Sequence, residues 1–348
     1  VCDEPAGRYA FLGYVHYADG VKLGEREGDD PQFDPAVLAE DGVTYLYTGF
    51  CHRRGDGRKG SMVIVLEPDM LTVRTAPRYL IPSLQTGAGT GFEGHEFFEA
   101  SSIRKLDGLY YFVYSSIVCH ELCYATSRYP DRDFRYRGVI VSNNDLHISS
   151  YKPADMPGYY GGNNHGGLVR VNGKDYIFYH RHTNGTNFCR QGLAEQVSIA
   201  QDGNIAQVEM TSCGLNEKPL RGEGTYPAYI ACSLFTKQEN AYTGGSGENG
   251  FWLDGGYPRI TQDGRDGDEE NGYIMNLRDG AVCGFKYFDC KGVKQITLSV
   301  RGFAKGHFEV KTAWNGEALA VLPVVYTDEW TDYTARCSIP DVVQAICL

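Results

Sequence analysis

Three polar residues, Asp34, Glu99 and His165, head successive copies of one pattern and stand 65 and 66 residues apart. Each copy runs from the polar residue into a strand, a Gly turn and an aromatic strand. The copies are Asp34-Pro-Ala-Val-Leu-Ala-Glu-Asp-Gly-Val-Thr-Tyr-Leu-Tyr, Glu99-Ala-Ser-Ser-Ile-Arg-Lys-Leu-Asp-Gly-Leu-Tyr-Tyr-Phe-Val-Tyr and His165-Gly-Gly-Leu-Val-Arg-Val-Asn-Gly-Lys-Asp-Tyr-Ile-Phe-Tyr. Their turns, Asp41-Gly42, Asp107-Gly108 and Asn172-Gly173, are dipeptides that accept the positive φ angles of a tight β-hairpin. Turn chemistry therefore fixes the register of all three copies.

A fixed repeat of β units predicts an all-β fold of propeller type, in which equivalent residues of successive blades face the central axis. Residues remote in sequence then converge on one pocket. Taken singly, each polar residue reads equally well as an ordinary turn-flanking group, but three in register favour a shared site. The 43 Gly and 25 Tyr suit many short strands joined by tight turns. Blade-like units are predicted at about 30–85, 90–143 and 160–213, with residues 1–20 as the outer strands of an earlier blade. A ring needs about four to eight blades, which predicts one or two more before Val1. Beyond about residue 235 the pattern changes to turn-rich and acidic loops, then to alternating strands such as Ala281–Phe288, Gln295–Arg301 and His307–Trp314, the reading of a β-sandwich of jelly-roll type. The expected domains are a partial propeller at 1–232 and a sandwich at 233–348.

Composition narrows the function. A formal charge of −11 argues against a nucleic-acid partner, since phosphate binding needs a basic face, whereas a neutral polysaccharide fits. Runs such as Met62–Leu66 are of strand length, far short of the roughly 18 apolar residues of a membrane-spanning helix. Eleven Cys, an odd number in no evident framework, suit reduced thiols and favour a cytoplasmic setting. Export stays open because the chain does not begin with Met. Cys119 and Cys123 lack a His or Cys partner at zinc spacing and read as strand residues. His52, His95 and His182 likewise show no metal spacing.

The motifs resemble glycoside hydrolase family 43, a family of five-bladed propellers, followed by a module similar to carbohydrate-binding module family 6. Phe33-Asp34-Pro35 resembles the family's second aspartate motif, Phe97-Phe98-Glu99-Ala100-Ser101-Ser102 its glutamate motif, and Asn163-Asn164-His165-Gly166-Gly167 its axial histidine loop. The stretch Phe178-Tyr-His-Arg-His-Thr-Asn-Gly, with Arg190-Gln and Gln207-Val-Glu-Met-Thr-Ser, is most similar to members that act on arabinoxylan.

The resemblance implies an inverting, exo-acting α-L-arabinofuranosidase whose partner is plant cell-wall polysaccharide or its oligosaccharides. Glu99 would protonate the leaving oxygen, while Asp34 stays ionised, raises the pKa of the acid and orients it. The water-activating base would belong to the family's first blade. No Asp before Asp34 sits in the required hairpin context, Asp3, Asp19, Asp29 and Asp30 lying in loops or outer strands, so the expectation is a chain that lacks its base and is impaired on its own. The chemistry requires no cofactor; His165 would face the axial channel and help hold a structural calcium ion, largely through water, or else be a buried His bonded to a strand carbonyl. Phe33, Phe98 and Arg190 would contact the sugar, with Tyr114 as a further flanking ring, and exposed aromatics of the sandwich such as Trp252, Tyr257 or Trp314 could bind polymer. Three alternatives stay open: a β-xylosidase, an arabinan-cleaving enzyme of the same family, and a non-catalytic carbohydrate-binding protein. Oligomeric state is not legible.

Overall fold

The computed structural model describes residues 2, 4, 6–160, 162–186, 188–236, 258–264, 272–302 and 305–348. Trp252 and Tyr257 lie outside the described residues. These residues are almost wholly β, with two single-turn 3-10 helices at Gly214–Asn216 and Ala228–Ile230 and no α-helix among them. They form two compact units. The first comprises Val1–Ile140, His165–Arg170 and Ile199–Ala206; the second comprises Val141–Asn164, Val171–Ser198 and Gln207–Leu348.

The first unit is built on two four-stranded sheets whose spatial order follows chain order, the meander of a propeller blade. One holds β1 (Ala36–Glu40), β2 (Val43–Thr48), β3 (Gly60–Leu66) and β4 (Val73–Pro82); the other holds β5 (Phe97–Leu106), β6 (Leu109–Ser116), β7 (Glu121–Ser127) and β8 (Arg135–Ser142). Glu40 pairs with Val43 and Leu106 with Leu109, so each first hairpin closes through two residues. Asp41 and Gly42 have φ of 51° and 74°, and Asp107 and Gly108 have 50° and 82°, the left-handed pair that such a turn demands. Asn172 and Gly173 take 51° and 77° between β9 (Gly167–Val171) and β10 (Lys174–His182). The sequence-legible turns are thus the actual turns.

Alternation sorts the side chains of each strand onto two faces. Tyr47 and Val63 join Phe97, Ile103, Phe112 and Tyr114 in the main core, while Leu46, Met62, Ile64 and Leu66 pack with Val15 and Leu23 on the opposite face. Both sheet faces are therefore covered, which is why β3 reads as a continuous apolar run. The segment predicted as outer strands at 1–20 forms no strand among its described residues. It lies across the first sheet, His16 bridging Thr72 and Lys22, because Val15 finds its apolar partners there. Glu40 joins the two sheets by accepting hydrogen bonds from Lys105 and from the Tyr110 hydroxyl.

In the second unit, β10 pairs antiparallel with β11 (Arg190–Val197). Further on, β12 (Leu220–Arg221) and β13 (Ser233–Thr236) flank β16 (Ala281–Asp289), following the hairpin of β14 (Arg259–Gln262) and β15 (Gly272–Met275). Then β17 (Gln295–Gly302) pairs with β20 (Thr327–Arg336), β18 (Gly306–Val310) with β19 (Ala320–Val324), and β21 (Val343–Cys347) returns to β16. Their inward residues, among them Phe288, Val310, Leu322 and Ile346, form one core. All eleven Cys are free thiols.

A buried ionic cluster sits within this unit. Lys286 is fully buried, its Nζ 2.7 Å from Asp145 Oδ2 and 3.0 Å from Glu209 Oε2. Asp145 also accepts the Met210 N–H at 2.8 Å, and Glu209 accepts from Ser150 and Tyr287. Every charge in the cluster has partners, the condition under which burial is tolerable. Lys286→Ala removes the cation and strands the Asp145 carboxylate, with an expected loss of roughly 3–5 kcal/mol of unfolding free energy. Urea denaturation measures it; Lys286→Met combined with Asp145→Asn should recover much of the loss.

Candidate active site

The three heads of the repeat lie in the first unit. Asp34 sits at a bend before β1, and His165 enters β9 with Nδ1 3.6 Å from Asp34 Oδ2. Two residues beyond His165, Gly167 runs against β5 so closely that a Cβ there would stand 2.4 Å from Ser102 Oγ. A side chain at 167 would displace the Ser102 hydroxyl, which gives the second Gly of the His165-Gly-Gly motif a physical reason.

Glu99 is 5% exposed and is placed by an irregularity that no periodicity reveals. Phe97 pairs with Ser116, but Glu99 pairs with Ser115, one step along β6 instead of two, and a second shift follows before Ser102, which meets Val113. Each shift inserts one extra residue, so Glu99 lies on the face opposite Phe97, and Ile103 returns to the Phe97 face. A regular strand would have driven the carboxyl into the core with Phe97 and Ile103. Ala100 has φ of 69° and Asp34 φ of 46°, left-handed conformations that are uncommon outside Gly. Strained backbone at both carboxylates marks positions that the surroundings over-determine, a pattern concentrated at functional sites.

The end of β2 ties these two segments together. Thr48 Oγ1 accepts the Phe33 N–H at 2.8 Å and donates to the Phe33 carbonyl at 2.9 Å, while the Cys51 N–H donates to the Phe98 carbonyl at 2.9 Å. Phe50 lies between the two segments, its ring centroid 5.6 Å from Phe33 and 5.4 Å from Phe98. Arg53 stands over the Phe98 ring at 5.7 Å and Arg58 over Phe50 at 5.3 Å. Burial pushes the Cys119 thiol up to about 12, with the Arg53 charge opposing the rise and the Glu99 charge adding to it. The first unit thus holds a buried carboxyl at Glu99, the Asp34–His165 pair and a cluster of aromatic rings.

Other expected residues fall as follows. Phe33 is half-exposed and offers a free ring face, whereas Phe98 is buried. Tyr114, expected to flank the pocket, is instead fully buried in the main core, its hydroxyl donating to the His95 carbonyl at 2.6 Å. Arg190 belongs to the second unit and opens β11 with Nη1 3.2 Å from His180 Nε2. Burial, reinforced by the Arg190 charge, holds His182 down at about 4. Cys119 is not a strand residue: it lies in the turn between β6 and β7 with φ of 79°. Phe50, Arg53 and Cys119 join the site through folding alone and carried no motif signal.

The aspartates before Asp34 have other employment. Asp29 accepts from the Tyr17 hydroxyl and from the N–H groups of Gly24 and Arg26; Asp19 accepts from Val21 N–H and Arg26; Asp30 accepts from Tyr79. Asp3 lies outside the described residues. Calcium takes about six to eight oxygen ligands. Among the described residues, no group of three or more His, Cys, Asp or Glu side chains able to hold a metal includes His165. In the second unit a cavity of about 1150 Å³ is lined by Trp314, Arg301, His307, Glu309 and Lys311 among others.

These carboxylates and the repeat that carries them coincide with a family match. The model for glycosyl hydrolases family 43 matches residues 1–205, and the chain belongs to that family of enzymes acting on O-glycosyl bonds. It is 61% identical over 346 residues to a xylosidase/arabinosidase of Thermoclostridium stercorarium, covering 99% of this chain and 72% of that protein. An arabinoxylan arabinofuranohydrolase of Paenibacillus polymyxa is 26% identical over 80% of this chain and 41% of its own length. Among solved structures, a family 43 arabinoxylan arabinofuranohydrolase from Bacillus subtilis in complex with cellotetraose aligns with a TM-score of 0.42 at 21% identity, over 91% of this chain and 63% of that one.

The contact at Gly167 is open to a direct test. Gly167→Ala should cost roughly 1 kcal/mol, the low end for overpacking, because the obstructing atom is a hydroxyl that can rotate. Adding Ser102→Ala should restore the denaturation midpoint; failure of the second substitution to compensate would contradict the contact.

Proposed function

We propose that the protein is an inverting glycoside hydrolase that removes α-L-arabinofuranosyl side chains from arabinoxylan-type hemicellulose. The observation that carries this reading is the buried Glu99 carboxyl, turned off the core face by two strand irregularities, in the unit that holds the Asp34–His165 pair. Glu99 donates a proton to the departing glycosidic oxygen. Asp34 supplies the second carboxylate, which orients the acid. Phe33 presents a ring on which a sugar face stacks. The water-activating base is not assigned to any of these residues. The cavity beside Trp314 gives the second unit a surface for holding the polymer, which would raise the local substrate concentration without altering the chemistry. The similarity to an arabinoxylan arabinofuranohydrolase supports arabinose as the released sugar.

A second reading is β-xylosidase activity. It is favoured by 32% identity, over 60% of this chain, to a β-xylosidase of Xylanibacter ruminicola. The two readings share the acid and differ in the shape of the sugar site.

Chromatography of sugars released from arabinoxylan and from xylo-oligosaccharides separates them. Arabinose is expected; xylose alone would move the reading to the xylosidase. Glu99→Gln should lower release from the polymer by roughly 10²–10⁴-fold, the usual contribution of general acid catalysis. The loss should shrink on an aryl glycoside, whose leaving group departs without a proton, whereas Asp34→Asn should impair both substrates. Unchanged polymer hydrolysis in the Glu99→Gln variant would exclude Glu99 as the acid.

A further inference from the structure

We propose a zinc-type metal site at His95, Glu121 and Cys123, separate from the sugar-cleaving residues. Glu121 and Cys123 are two apart on β7 and so project from one face of it. His95 reaches the same place from the loop before β5. His95 Nδ1 lies 2.6 Å from Glu121 Oε1, Cys123 Sγ lies 3.2 Å from the same oxygen, and Sγ and Nδ1 are 3.8 Å apart. A point equidistant from these three atoms is about 1.9 Å from each, against about 2.0–2.3 Å for zinc bound to imidazole, carboxylate and thiolate. A slight opening of the triangle, or an ion just outside its plane, meets those lengths.

The surroundings suit a cation of that kind better than an ordinary core. Glu121 and Cys123 are buried, and Glu121 Oε1 is the point on which His95, Ser116 and the Cys123 thiol converge. Glu96, also buried, has an Oε2 with no hydrogen-bond partner, and its charge is felt at His95. A dication balances the Glu121 carboxylate and a Cys123 thiolate, and water completes four-coordination. The ligands are held from outside: Ser116 Oγ donates to Glu121 Oε1 at 2.5 Å, and the Tyr136 ring stacks on His95 at 5.0 Å and 14°. Nitrogen and sulfur donors select zinc-type cations over calcium. Binding displaces the thiol proton of Cys123 and any proton shared between His95 and Glu121. The ion would clamp β7 to the loop that leads into Glu99, four residues after His95. Nothing in this argument depends on which sugar is cleaved.

The test is cobalt titration of the metal-stripped protein followed by optical spectroscopy, with zinc used for thermal melts. One equivalent of cobalt, a near-ultraviolet thiolate-to-cobalt band and a raised melting midpoint with zinc are expected. Cys123→Ser should abolish the band, and His95→Gln, at a partly exposed position, should weaken cobalt binding by more than about tenfold. Circular dichroism verifies that each variant is folded; where Cys123→Ser is not, His95→Gln decides. A folded protein without the thiolate band, a band that survives Cys123→Ser, or unaltered affinity in His95→Gln would overturn the proposal.

Discussion

The double irregularity of β5 is the constraint on which the rest of the site depends. A strand must put alternate residues on alternate faces, and β5 has to serve two masters: Phe97 and Ile103 fill the core, while Glu99 between them must not. Two extra residues solve the conflict. The first moves the carboxyl to the other face, and the second restores the phase so that the remainder of the strand packs normally. Ala100 absorbs the bend in a left-handed conformation that L-residues avoid by roughly 1–2 kcal/mol, a strain the surrounding sheet holds in place. The hydroxyl of Thr48 and the Phe33–Phe50–Phe98 rings then couple this segment to the loop bearing Asp34.

Much of the fold was legible because it rests on local rules. Asp-Gly and Asn-Gly turns, apolar alternation and aromatic second strands fixed the hairpins, and the turn residues adopt the φ angles their chemistry implies. What escaped has non-local causes. The face of Glu99 depends on register shifts against β6, and the motif Phe-Phe-Glu-Ala-Ser-Ser contains no Gly or Pro to announce them. Residues 1–20 repeat a strand-forming pattern, yet the first sheet offers Val15 an apolar face and the segment lies on it. Tyr114 reads as a ring flanking the pocket but is fully buried in the main core of the first unit.

The candidate site shows the same division. Asp34, Glu99 and His165 were visible as a triple repeat because equivalent positions of successive hairpins repeat at even spacing. Arg53, which stands over the Phe98 ring, was not, since only folding brings that loop arginine to the strand bearing Glu99. The His95, Glu121 and Cys123 grouping is the extreme case: one ligand lies 26 residues before the next, so no spacing rule for zinc could find it. The family match covers residues 1–205, and Asp34, Glu99 and His165 fall within that span.

The proposed function requires that a sugar be cleaved at Glu99, in the unit that also holds the Asp34–His165 pair. A crystal structure of the Glu99→Gln protein with an arabinoxylan oligosaccharide tests it most directly. The account expects a terminal arabinofuranosyl unit beside Asp34 and Phe33, with its glycosidic oxygen within about 2.6–3.2 Å of the side chain at position 99. An oligosaccharide held elsewhere in the first unit, with that side chain out of reach of any glycosidic oxygen, would contradict it.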